Sequence, residues 1–173
     1  MDFTEKTVET KNIFKGKVID VNLHTVELPN GKKASREIVN HPGGVAILAY
    51  KDKDTILLVE QFRKPIEKNL LELPAGKIEK DEDIELCGIR EFEEETGYKA
   101  KKFKYLGKIV TSPGFCDEYI YIYKADELYK GQDNLADEDE FINVKEIKMD
   151  KIKEMIKNGE ITDAKTISAF MMI

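Results

Sequence analysis

Tryptophan is absent from this 173-residue chain, and cysteine and histidine occur only twice each. Cys87 and Cys116 lack the paired spacing of a metal site. Two cysteines also make no disulfide framework for a chain of this length, so reduced thiols in a cytoplasmic protein are expected. With only His24 and His41, a histidine-rich metal centre is excluded. Any bound metal must be held mainly by oxygen, which favours Mg²⁺ or Mn²⁺. No basic run is present, nor any apolar tract long enough to span a bilayer, so neither nucleic acid nor a membrane is an expected partner. The opening MDFTEKTVETKNIF is polar and acidic without an apolar stretch, which argues against secretion.

What the chain does contain is charge. Charged residues make up 36% and hydrophobic ones 41%, with a formal net charge of −6. That balance suits a globular domain with a sizeable core. An acidic surface repels polyphosphates, so handling them requires local Arg, Lys or bound cations.

Residues 13–19 and 21–28 read as strands, and Pro29-Asn30-Gly31 signals a turn into a third over 34–41. Pro42-Gly43-Gly44 then breaks the chain. A small antiparallel β lobe over residues 1–42 is therefore expected ahead of a main domain over 43–173. In the latter, 45–50, 55–62, 103–112, 118–125 and 141–147 read as strands, with helices over 81–96, 149–158 and 163–172. Leu86, Ile89 and Phe92 predict the packing stripe of the first helix. The mixed order of elements predicts an α/β sandwich and not a doubly wound parallel sheet.

On that first helix, Glu91, Glu94 and Glu95 stand at i, i+3 and i+4 and so share one face. An isolated acidic run is ordinarily a solvated surface. Like charges at these spacings cost a few tenths of a kcal/mol per pair, and divalent cations offset that cost through carboxylate oxygen. The run also sits inside a longer pattern. Gly76, five residues, Glu82, seven residues, then Arg90-Glu91-Phe92-Glu93-Glu94-Glu95-Thr96-Gly97-Tyr98 resembles the box of the Nudix hydrolases. All seven fixed positions match, namely Gly76, Glu82, Arg90, Glu91, Glu94, Glu95 and Gly97. The two apolar positions carry Phe92 and Tyr98 in place of the usual aliphatics, which concerns packing only.

The resemblance assigns roles. Glu91 and Glu95 are implied as the principal Mg²⁺ ligands, with Mn²⁺ as a substitute. Glu94 is implied to ligate a further ion or position water, and the Ala75 carbonyl to complete a metal shell. Arg90 and Glu82 are implied as an ion pair bracing loop against helix. Cys87, where the family carries a small residue, is expected to be packed and inert.

Further segments resemble the ADP-ribose pyrophosphatase branch of that family. They are VEQFRKPIEKNLLELPAGKIE (59–79), REIVNHPGGVAI (36–47), DAKTISAF (163–170) and SPGFCDE (112–118). In the last of these, Pro113 falls sixteen residues after Gly97, the spacing that marks the branch. The branch implies an α/β/α sandwich, a homodimer built through the N-terminal lobe, and hydrolysis of ADP-ribose to AMP and ribose 5-phosphate. Arg63 is implied to fork onto the diphosphate oxygens, and Arg36 to meet the adenine or terminal ribose. Without Trp, adenine stacking falls to Phe, Tyr or an Arg plane, Phe14 being one candidate. The general base is implied to come from the acidic loop 137–140, with Glu138 and Glu140 as candidates. Two rival readings stay open: another nucleotide sugar as substrate, and a non-catalytic module that senses ADP-ribose.

Overall fold

The computed structural model describes residues 2–131 and 141–173. Contacts divide it into two compact units, Met1–Gly43 with Val110–Tyr119, and Gly44–Ile109 with Ile120–Ile173.

The first unit holds a three-stranded antiparallel sheet in the order β1 (Lys6–Lys15), β2 (Asp20–Glu27), β3 (Lys33–Asn40). The Pro29-Asn30-Gly31 turn forms as expected. Gly31 takes φ 78° and its amide donates to the Leu28 carbonyl at 2.8 Å. The first strand lies further upstream than residues 13–19. Gly16 sits inside that apolar run and turns the chain, donating its amide to the Ile19 carbonyl at 2.9 Å. Pairing then runs back from Lys15↔Asp20 to Lys6↔Glu27, through mostly polar residues without regular alternation. Side-chain amides link the strands, Asn12 to Asn22, Asn22 to Asn40, and Asn40 to Asp117.

The second unit is a mixed sheet with helices on both faces. Its strands are β4 (Gly44–Tyr50), β5 (Thr55–Arg63), β6 (Lys68–Glu72), β7 (Ala75–Lys77), β8 (Tyr98–Val110), β9 (Tyr119–Lys130) and β10 (Ile142–Lys148). The sheet runs β10-β5-β4-β9-β8, with β6 paired to β5 and β7 to β4. β4 is parallel to β9 and antiparallel to β5. The helices are α1 (Ile84–Thr96), α2 (Met149–Lys157) and α3 (Ala164–Phe170). Among the described residues no helix is long and apolar enough to cross a membrane.

A strand apolar on every position needs cover on both faces, and Val45–Ala49 has it. Ala46 and Leu48 pack with Ile152, Ile161 and Ala169 from the α2/α3 side. Val45, Ile47 and Ala49 pack with Cys87 and Phe92 of α1. Each buried aliphatic of this kind contributes roughly 1.5–3 kcal/mol. β6 and β7 were not foreseen, because KNLLE and AGK are too short to show a period.

The α1 packing stripe differs from the expected one. Phe92 is 1% exposed, but Leu86 is 63% and Ile89 39% exposed. The buried face is Cys87, Gly88, Phe92, Glu95 and Thr96. Gly88 explains the rotation: a Cβ there would lie 2.8 Å from Val45 and 3.1 Å from Phe103. The helix comes close to the sheet through its small residues, and the larger Leu86 and Ile89 face outward.

Candidate active site

Asp83 caps α1 by accepting from the Glu85 and Leu86 amides, both at 3.0 Å. Gly97 ends it at φ 68° with its amide on the Glu93 carbonyl, the left-handed stop that glycine permits. Between them the helix carries Arg90, Glu91, Glu94 and Glu95, as the spacing predicted.

Opposite runs the segment Glu72–Gly76, fastened at successive residues. The Leu73 amide donates to Thr166 Oγ1 of α3 at 2.9 Å. The Pro74 carbonyl accepts from the Ile47 amide at 2.8 Å. The Ala75 amide donates to Glu95 Oε2 at 2.8 Å. At Gly76 a Cβ would fall inside the carboxylate of Glu91, so only glycine lets that carboxylate rest against the loop. Gly76→Ala is accordingly expected to displace Glu91 and to lower turnover about 10²-fold, the scale of an ångström's misplacement. The melting temperature should change little. Unchanged kcat in that variant would show that the Gly76–Glu91 approach has no bearing on activity.

Arg90 is shared among three carboxylates. Its Nε and Nη2 donate to Glu82 at 2.8 and 3.1 Å, and Nη1 lies 2.8 Å from Glu94 and 2.9 Å from Glu91. The Glu82–Arg90 brace was expected. The contacts to Glu91 and Glu94 were not, and they supply part of the charge compensation that the helix face needs. The forked bond to Arg90 holds the Glu82 carboxyl down to about 2. Cys87 is fully buried, the packed residue expected, and burial pushes its thiol up to about 12.

Three carboxylates, Glu82, Glu91 and Glu94, here face the one Arg90 guanidinium, so negative charge is in surplus around it. Hard oxygen donors on one helix face, beside a glycine cradle, suit a hard divalent cation. Among the described residues, however, no three acidic, histidine or cysteine side chains converge on one point. Arg90 draws Glu91 and Glu94, while the Ala75 amide holds Glu95.

Arg63 ends β5 and forks onto Glu72, Nε to Oε1 at 2.8 Å and Nη2 to Oε2 at 2.7 Å. Lys165 of α3 also reaches Glu72 Oε2, and lies 3.0 Å from Asp163. Burial pushes the Glu72 carboxyl up, but Arg63 and Lys165 outweigh it and the net shift is downward. Arg63 is held above its ordinary value first by the Glu72 hydrogen bond, against desolvation, and further by the charges of Glu72, Glu95 and Asp163. Glu95 therefore lies within electrostatic reach of Arg63. Glu72 and Lys165 occupy no fixed motif position in the sequence. An acid between leucines, in LELPAG, was the available signal.

Arg36 and Pro113 belong to the first unit. Arg36 forks onto Glu5 at 2.9 and 2.5 Å. Pro113 is exposed in a turn closed by the Phe115 and Cys116 amides on the Ser112 carbonyl. That turn is fastened to β3 by the Val39 amide on the Phe115 carbonyl at 2.7 Å. Phe14 is 54% exposed on β1. Glu138 and Glu140 lie outside the described residues.

The fold and the carboxylate-bearing helix together describe an α/β/α sandwich with an acidic site against a glycine loop. The NUDIX domain model matches residues 40–170, and the chain belongs to the Nudix family. The nucleoside diphosphate sugar hydrolase N-terminal domain model matches residues 5–39. An ADP-ribose pyrophosphatase of Bacillus subtilis (strain 168) is 47% identical over 170 residues, 98% of this chain and 92% of that protein. A methanol dehydrogenase activator of Bacillus methanolicus is also 47% identical, over 96% of this chain and 91% of its own length. A GDP-mannose pyrophosphatase of Yersinia pestis (strain Pestoides F) is 36% identical over 91% of this chain and 83% of its own. A crystal structure of an ADP compounds hydrolase superposes with a TM-score of 0.86 at 18% identity, covering 99% of this chain and 94% of that one. At that identity the likeness speaks for the fold.

Proposed function

We propose that this protein hydrolyses the diphosphate linkage of ADP-ribose, giving AMP and ribose 5-phosphate, with Mg²⁺ as cofactor and Mn²⁺ able to replace it. The observation that carries the reading is the Glu91/Glu94/Glu95 face of α1, set against the fastened Glu72–Gly76 loop with Arg63 within reach of Glu95's charge. The names of the similar proteins from Bacillus subtilis and Mycobacterium tuberculosis, both ADP-ribose pyrophosphatases, point to the same substrate.

Glu91, Glu95 and the Ala75 carbonyl would hold the cation, with Glu94 ligating a further ion or placing water. Bound Mg²⁺ supplies Lewis-acid charge to the phosphoryl oxygens and makes water a stronger acid. Arg90 and Glu82 keep the helix and loop in register. Arg63 offers a planar fork to diphosphate oxygens, and Arg36 serves the adenine or terminal ribose. The free thiols Cys87 and Cys116 are in keeping with a cytoplasmic setting. A homodimer is the working form, because β1 is exposed along its whole length and displays Val8, Ile13 and Phe14 to solvent.

The deciding experiment is a panel of ADP-ribose, GDP-mannose, other nucleotide sugars and nucleoside triphosphates, assayed with Mg²⁺ and with EDTA, with sedimentation at the assay concentration. Fastest cleavage of ADP-ribose by a dimer, silenced by EDTA, is expected. A higher kcat/KM on GDP-mannose would transfer the substrate assignment to another nucleotide sugar, as the name of the Yersinia relative suggests. Binding without cleavage would make the chain a sensor, and full activity in a monomer would remove the dimer.

A further inference from the structure

Glu72, Arg63, Lys165 and Asp163 form one charged network in the second unit. Strand register places Val59 opposite Glu72 and Arg63 opposite Lys68, so Arg63 and Glu72 share a face of the β5–β6 hairpin. Arg63 reaches back along that face to Glu72. A carboxylate buried to this degree must be paired, and here it has two cations, one from the hairpin and one from α3. Asp163 divides its charge between Lys165 and the Thr166 amide and hydroxyl, which it accepts at 2.9 and 2.6 Å.

Exposure within the network is uneven. The side chains of Glu72, Lys165 and Asp163 are 2, 12 and 15% exposed, whereas that of Arg63 is 40% exposed. Without Lys165, Arg63 would be the sole counter-ion of a buried carboxylate and its charge would be fully committed. With Lys165 present, part of the Glu72 charge is neutralised from behind. Arg63 is then held in place through two hydrogen bonds while its positive charge stays available to an anion in front.

We infer that Lys165 is a positioning residue for the diphosphate: acting through Glu72, it orients Arg63 and leaves its charge free for the substrate. This rests on the ADP-ribose reading and on Arg63 as its diphosphate donor. It adds a residue on a different element, in contact with neither the α1 carboxylates nor the Gly76 cradle in the hydrogen bonds and ion pairs described above.

The test measures ADP-ribose affinity by calorimetry in EDTA, together with KM and kcat in Mg²⁺, for the wild type, K165M, K165R and R63Q, and for R63Q/K165M. K165M is expected to weaken binding and raise KM about tenfold, a coupling of ordinary size for charges in one network, with kcat changed far less. K165R, which keeps the charge, should restore most of the affinity. In the R63Q background K165M should have little further effect. Should K165M fail to fold, K165Q, which keeps a hydrogen-bond donor and removes the charge, carries the same comparison. Wild-type affinity in K165M, or an equal loss with and without Arg63, overturns the role of Lys165 and leaves the substrate reading standing. A wild-type protein that neither binds nor cleaves ADP-ribose takes both down.

Discussion

Glu95→Gln is expected to lower kcat about 10²–10³-fold, the size of losing one preorganised charge-stabilising group, while the melting temperature stays close to that of the wild type. The substitution isolates charge from structure. Glu95 is 8% exposed, and its Oε2 accepts from the Ala75 amide at 2.8 Å. Glutamine keeps an oxygen in the same place, so that amide keeps its acceptor. Alanine would leave the amide unsatisfied, at a cost of about 1–3 kcal/mol, and would confuse loss of a ligand with loss of the loop. Glutamine removes only the negative charge and so weakens a cation's hold. Near-normal turnover of the variant at saturating Mg²⁺ would take Glu95 out of the site. A fall in activity that tracks a fall in melting temperature would assign it a structural role instead.

The chemistry-bearing helix was legible because its signal lies in fixed offsets. Gly76, Glu82 and the Arg90–Gly97 run state which groups meet, and the structure joins Glu82 to Arg90 and Gly76 to Glu91. The packing of that same helix was misread for a physical reason. A hydrophobic period assumes that large residues face the core, yet the close approach is made by Gly88 and Cys87, with Leu86 and Ile89 outside. β1 begins upstream of the expected residues because a mostly polar strand, exposed along its whole length with Val8, Ile13 and Phe14 scattered in it, leaves no alternation to read. The Glu72–Lys165 contact was invisible for another reason, since its partners stand 93 residues apart and only the fold brings them together.

Replacing Glu138 or Glu140 with Gln is expected to lower kcat by roughly 10²–10⁴, the usual range for losing a general base, with ADP-ribose affinity little changed. The argument is one of available lone pairs. Glu91 and Glu94 meet Arg90, and Glu95 accepts the Ala75 amide. Oxygens already engaged by these donors, and in the proposed reaction by a cation, leave few lone pairs for a proton from water. The proton of the attacking water then needs a carboxylate outside α1. Downstream of Pro113, the acidic run in a predicted loop is Asp137-Glu138-Asp139-Glu140, and loops at strand ends commonly carry such groups. Affinity should hold because a base acts on water and not on the substrate. Single and double variants, assayed for kcat and for ADP-ribose binding in parallel, separate the two candidates. If even the double variant slows turnover by less than about tenfold, below what a general base contributes, the base lies elsewhere. Glu94, whose side chain is the most exposed of Glu91, Glu94 and Glu95, is then the residue to test next.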